Sequence, residues 1–165
     1  RFMDVISPIP STLLAICIAS AFGQSLISLM IAVGVISVPS FARIARAAVM
    51  TVRDQEYIEA AKSQGASELQ IIFSHVIPNS LPPILVQATM RVASAIISAS
   101  SLSFLGLGIP APSPEWGGML SEGRNFIGTN VNMTLFPGLA IMLTVLSINL
   151  IGDGVRDAMD PRLKR

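Results

Sequence analysis

Arg91 is the only ionisable residue well inside a long apolar stretch of this chain, and polar residues share its face. Gln87, Arg91, Ser94, Ser98 and Ser101 recur at i, i+4, i+7, i+11 and i+14, one side of a helix. A charge in hydrocarbon costs at least ~2.5–3.5 kcal/mol on the mildest scale, so Arg91 should face a watery path or a partner rather than lipid. We read this stripe as the lining of a watery path. The competing reading is helix packing, because Ala95, Ala99 and Ser103 give small-xxx-small spacing on the neighbouring face. Arg91 could also extend its stem toward the aqueous boundary.

Covalent or acid–base chemistry has little to work with. The single His75 has no second histidine, cysteine or acid cluster beside it, so it reads as a cap or packing residue and no metal site is expected. Cys17 is the one cysteine and lies in an apolar run, which leaves no disulfide framework. With no convincing nucleophile–base set, no catalytic residue is assigned. A Gly-x-x-x-x-Gly-Lys-Ser/Thr phosphate loop is also missing, so energy from a nucleotide would have to come from another polypeptide.

The second polar constellation runs from Tyr57 to Asn79. Tyr57, Ala60, Ala61 and Gln64 share one helical face, where small side chains let a partner approach closely. Gly65 suits the left-handed position after a helix end, and Ser67 with Gln70 has the form of a capping box that restarts a helix. In that second helix Leu69, Ile72, Phe73 and Val76 form an apolar stripe expected to be buried. Pro78, Pro82 and Pro83 are expected to stop it.

The elements that must position these groups are membrane helices. The chain is 52% hydrophobic and 13% charged, about half the charge of an ordinary soluble domain. Its net charge of +1 gives no argument for nucleic acid as a partner. Residues 5–42 carry no charge, too long for one span of about 20 residues, and Gly23-Gln24-Ser25 divides them. The expected spans are about 8–22, 25–42, 81–107 and 135–152, with Pro39 kinking the end of the second. A single long tilted helix over the first two is the alternative. Between them lie a polar connector at 43–80 and a Pro- and Gly-rich loop at 108–134.

Arg43, Arg46, Arg53 and Lys62 in the connector, and Arg156, Arg162, Lys164 and Arg165 in the tail, outnumber Arg124 in the loop. The positive-inside rule therefore puts the connector and both termini in the cytoplasm and the Trp116 loop outside. Trp116 there reads as an interfacial anchor.

Glu59-Ala60-Ala61, three residues, Gly65, nine residues and then Pro78 bring the chain to a known pattern. The chain resembles the permease subunits of bacterial ABC importers, whose cytoplasmic signature is Glu-Ala-Ala, three residues, Gly, nine residues and Ile-x-Leu-Pro. His75 stands where that pattern has Ile, and Ile77 where it has Leu. His-x-x-Pro-Asn, Ser103-Phe104-Leu105-Gly106-Leu107-Gly108, Pro114-Glu115-Trp116-Gly117 and Gly152-Asp153-Gly154-Val155-Arg156-Asp157-Ala158-Met159-Asp160-Pro161-Arg162 are similar to the dipeptide/oligopeptide branch, which includes nickel transporters.

The resemblance implies an all-α integral membrane protein of the bacterial inner membrane. About four of a full-length relative's six spans are present, as in the C-terminal part of such a chain. It implies that Glu59, Ala60, Ala61 and Gly65, with Tyr57 and Pro78, couple to an ATP-hydrolysing subunit. The implied partners are two ATP-binding subunits, a second permease subunit, an extracytoplasmic solute-binding protein and the lipid bilayer. ATP and Mg belong to the partner, and no cofactor to this chain. Glu115, Trp116, Glu122 and Arg124 become candidate contacts for the binding protein. The expected function is uptake of peptides. Nickel or another small solute is the runner-up, and an ATP-independent channel or carrier, or an inactive fragment or assembly scaffold, are the readings from other classes.

Overall fold

The computed structural model describes Met3 and residues 7–159, and every regular element named among them is helical. Helix α1 is Ser11–Phe22, α2 is Leu26–Arg53 and α3 is Glu56–Ser63. Helix α4, Glu68–Ile71, passes through a π-helical turn at Ile72–Val76 into α5, Ile77–Phe104. Helix α6 is Trp116–Gly123, followed by a 3₁₀ turn at Arg124–Phe126, and α7 is Asn132–Met159. Arg162, Lys164 and Arg165 of the expected basic tail lie outside the described residues.

Three helical runs are long and apolar enough to cross a membrane: Leu26–Arg53, Glu68–Phe104 and Asn132–Met159. The first expected span is shorter than its reading of 8–22. Its helix has 12 residues, about 18 Å at 1.5 Å per residue, against a hydrocarbon core of about 30 Å. Pro8 and Pro10 explain the late start, because a residue before proline is driven out of the helical region. Pro10 itself, at φ −53° and ψ 124°, is the extended residue from which α1 departs.

The second span is longer than its reading. The chain turns at Gly23, and Ser25 caps α2 by accepting the Ser28 N–H at 3.1 Å. Pro39 sits inside α2 without ending it. The helix runs 28 residues, about 42 Å, so Arg43, Arg46 and Arg53 lie on one continuous rod. The connector expected at 43–80 is therefore mostly helical. Nor do Pro78, Pro82 and Pro83 stop the second connector helix, since all three lie inside α5. The helix that carries the third expected span ends at Phe104, and the one that carries the fourth is Asn132–Met159.

Helix α5 is the central element, packing against α1, α2, α6 and α7. Small side chains make one seam: Ala15 and Ala19 of α1 meet Leu29, Ala32 and Val33 of α2, with Ala95, Ala99 and Leu102 of α5. Without a solvent-driven force between helices in lipid, such close contact supplies association through van der Waals packing. Ala95 and Ala99, the small-residue face noted beside the Arg91 stripe, are thus spent on packing.

The C-terminal end of α5 is closed by hydrogen bonds. Gly106 at φ +82° donates to Ser103 O and Leu107 to Leu102 O, both at 2.9 Å, a Schellman turn. Two distant side chains occupy carbonyls at this end: Ser121 Oγ donates to Phe104 O at 2.8 Å, and Gln24 Nε2 donates to Gly106 O at 2.6 Å.

Candidate functional site

The island beyond the end of α2 has a core of its own. Val52 from the last turn of α2, Ile58 of α3, Ile71 of α4 and Val76 of the π turn are all buried together, with Ala61 and Ala66 packed against them. Burying an aliphatic side chain of this size contributes about 1.5–3 kcal/mol, so α3 is held as a body on the end of α2. The chain leaves α3 through a Schellman turn: Gly65 donates to Lys62 O at 2.9 Å and Ala66 to Ala61 O at 3.2 Å. Gly65 has φ +81°, the left-handed geometry that only glycine enters cheaply. Ser67 then caps α4 by accepting the Gln70 N–H at 3.3 Å.

This packing divides the expected docking face. Tyr57, Glu59, Ala60, Gln64 and Gly65 are exposed, whereas Ala61 is half-buried in the island's own core. The residue that sequence reasoning passed over is Ile58, 1% exposed, which anchors the helix from below. Its signal was present as the only large aliphatic residue in α3. Tyr57 stacks edge-on to His75 with ring centroids 6.3 Å apart, which gives His75 the packing role expected of it.

The expected burial of the Leu69, Ile72, Phe73, Val76 stripe is corrected. Val76 is buried at 8% exposure, but Leu69, Ile72 and Phe73 stand 68%, 41% and 67% exposed. The reason is the π turn, whose Ile77 N–H reaches back five residues to Ile72 O. A five-residue turn places Ile71, not Ile72, beneath Val76.

Along α5, Gln87, Arg91 and Ser98 are half-buried and Ser94 and Ser101 exposed. Ser94 and Ser101 bond back to their own helix at Met90 O and Ile97 O. Ser98 and Leu102, and Arg91 and Ala95, are four residues apart, so the stripe borders the α1–α2 seam. Arg91 lies 13 residues before Phe104, about 20 Å of helix from the C-terminal end of α5.

At that end Gly117 allows α6 to lie on α5: a Cβ there would meet Ser100 O at 2.5 Å. Trp116 is exposed and, with Pro114, Glu115 and Met119, lines a cavity of about 270 Å³. Of the four loop residues expected to meet a binding protein, Trp116, Glu122 and Arg124 are exposed. Arg124 lies 5.4 Å from the centroid of the Phe104 ring, a cation–π contact within the chain. Glu115 is half-buried, and its Oε2 turns inward beside Gly108 without a hydrogen-bond partner. Inward turning of that oxygen and the stacking of Arg124 are tertiary choices that spacing alone does not encode.

Comparison with known proteins covers the whole chain. Residues 1–165 match the family described as binding-protein-dependent transport system inner membrane component. The dipeptide transport system permease protein DppC of Alkalihalophilus pseudofirmus is 51% identical over 99% of this chain. The di/tripeptide transport system permease protein DppC of Pseudomonas aeruginosa is 46% identical, as is the glutathione transport system permease protein GsiD of Salmonella typhimurium, each again over 99% of the chain. In all three the match takes up 54% of the relative, so the chain spans about half their length.

Proposed function

The chain belongs to the family of inner membrane components of binding-protein-dependent transport systems, and from that premise we propose that it is a membrane-spanning permease part of an ATP-driven importer of short peptides. The observation that carries the coupling role is the exposed helix α3, held on its own core beyond the end of α2 with Tyr57, Glu59, Ala60 and Gly65 facing outward. Support for peptides comes from the three relatives, whose names specify dipeptide, di/tripeptide and glutathione transport.

In this reading the island is cytoplasmic and docks on an ATP-hydrolysing partner, which holds ATP and Mg. Glu59 offers a charge to a basic residue opposite, and Ala60 and Gly65 keep the approach close. Motion of the partner passes through Ile58, Ile71 and Val76 into α2 and α5. A second permease subunit completes the path, and a solute-binding protein delivers at the Trp116 side. The Gln87, Arg91, Ser94, Ser98, Ser101 face of α5 lines the route. This chain contributes positioning and motion, with no catalytic step of its own.

Gly65→Asp separates docking from folding. No atom lies within 4 Å of a Cβ at Gly65, so inside the chain the variant suffers only left-handed strain of about 1–2 kcal/mol. Membrane insertion should be retained and stability should fall by no more than that strain, while ATP-driven dipeptide uptake in the assembled importer falls to background. Uptake at the wild-type rate in that variant would remove the docking assignment.

A further inference from the structure

Two opposed preferences meet in the π turn between the island and α5. In a continuous α-helix Val76 shares its face with Phe73 and Ile72, three and four residues back, and with Leu69 at seven. That is the spacing the sequence carries, yet in the structure those three apolar side chains stand in the open while Ile71 fills the slot beside Val52, Ile58 and Val76. The apolar stripe therefore favours an α turn here.

Pro78 favours the wide turn. In an α-helix its ring presses on the carbonyl of Ser74, and its missing N–H leaves that carbonyl without a donor. Widening the preceding turn, with Ile77 N–H bonded to Ile72 O, relieves that crowding. The two arrangements also fill the slot with the same kind of side chain, since a one-residue slip exchanges Ile71 for Ile72. The exchange leaves the shape of the island core nearly unchanged, which is the condition for two packings of similar free energy.

We propose that residues 67–77 switch between two registers, a π register with Ile71 in the slot and an α register with Ile72 in it. The segment before the slot rotates on the Gly65–Ser67 turn, where open space surrounds Gly65. In the π register Leu69, Ile72 and Phe73 face outward; in the α register Ile72 turns inward with Phe73 beside it. The switch sits where the docking island joins the rod that crosses the membrane. Its existence does not depend on the importer reading, whereas its role in transport rests on that reading.

Paired cysteines test it in the full-length protein, in membranes with its partners and with Cys17→Ser as background. Val52→Cys is combined in turn with Ile71→Cys and with Ile72→Cys, and a short thiol-bridging reagent is applied. Both pairs should link, the Ile71 pair predominating, and Pro78→Ala should move several-fold more product to the Ile72 pair. Linking at the Ile71 pair alone, before and after Pro78→Ala, overturns the switch.

Deleting Ser74 offers a second arm. It brings Ile71 and Val76 to i, i+4 spacing, so a plain α-helix then keeps Ile71 in the slot and leaves no second register. This variant should insert and assemble but lose ATP-driven uptake; uptake at the wild-type level overturns the role in transport. Trapping the importer with a non-hydrolysable nucleotide should change the ratio of the two linked products. A ratio that answers to Pro78→Ala but not to nucleotide supports the switch and overturns its link to transport.

Discussion

At the scale of single residues, close approach and exposure decide which positions tolerate change. Gly117 lies on the backbone of α5, where an added methyl would meet Ser100 O at 2.5 Å and Ser100 Cα at 2.8 Å. A backbone cannot step aside as a side-chain tip can. Gly117→Ala should therefore destabilise the purified protein in detergent by about 1–3 kcal/mol, the range for overpacking. Gly118→Ala is the control, since its Cβ would meet only Glu115 Oε2 at 3.8 Å. Thermal unfolding of the pair gives the comparison, and equal midpoints would refute the close seam. The path assignment is tested by cysteines at Gln87, Arg91, Ser94, Ser98 and Ser101 in a Cys17-free chain. These positions should react with a water-soluble thiol reagent, and uniform protection in every transport state would end the assignment. Residue types announced the stripe and the Gly65 turn. They did not announce that Arg124 stacks on Phe104, or that one oxygen of Glu115 turns inward, because each follows from where α6 lands on α5.

At the scale of elements, prolines and caps read differently in this chain than in a soluble one. Pro39, Pro82, Pro83 and Pro137 all lie inside helices that continue through them. Reading Pro78, Pro82 and Pro83 as stops applied a rule for water, where a freed carbonyl and a ring clash end a helix. Membrane helices tolerate proline because neighbouring groups and local adjustment of the turn satisfy the backbone. A widened turn also defeats register arguments: the spacing of Leu69, Ile72, Phe73 and Val76 is sound, but one residue of slip moves the buried position to Ile71. Helix starts were more legible. Ser25 and Ser67 both accept the N–H three residues ahead. Ser25→Ala should cost about 1 kcal/mol, within the usual range for a lost cap, and more than Ser67→Ala. Ser25 Oγ also meets the buried Ser28 hydroxyl at 2.8 Å, while the Ser67 cap is exposed. Chemical denaturation in mild detergent would rank them, and the reverse order would contradict this account.

At the scale of the whole molecule, the surface is apolar because much of it faces lipid or other helices. Only 11% of the apolar window of α7 is buried within the chain, and Leu139, Leu143, Leu146 and Leu150 stand exposed along it. Such a surface is incompatible with water and suits a bilayer or a second membrane subunit. Membrane character was therefore legible from composition, since 13% charge is about half that of an ordinary soluble domain. The lengths of the helices were not, because charge marks where a chain meets water and not where its hydrogen bonding stops. Trp116, the only tryptophan in the chain, reports the depth of the α5–α6 corner. Reconstituted with brominated phospholipids, it should be quenched most by bromines near the headgroups, as an interfacial residue. Strongest quenching by bromines near the bilayer centre would place that corner wrongly.

The run from Glu68 to Phe104 is 37 residues, about 55 Å from end to end. One end carries the island, and the other carries the hydrogen bonds from Gln24 and Ser121 that tie down the far corner. Beyond the π turn at Ile72–Val76, the part from Ile77 to Phe104 is one α-helix with little slack of its own. Under the proposed role in import, a displacement handed on by the π turn would reach the far corner in the same stroke, so the two ends of the proposed route would move in step. Tightness against leakage would then be a mechanical property of one long helix.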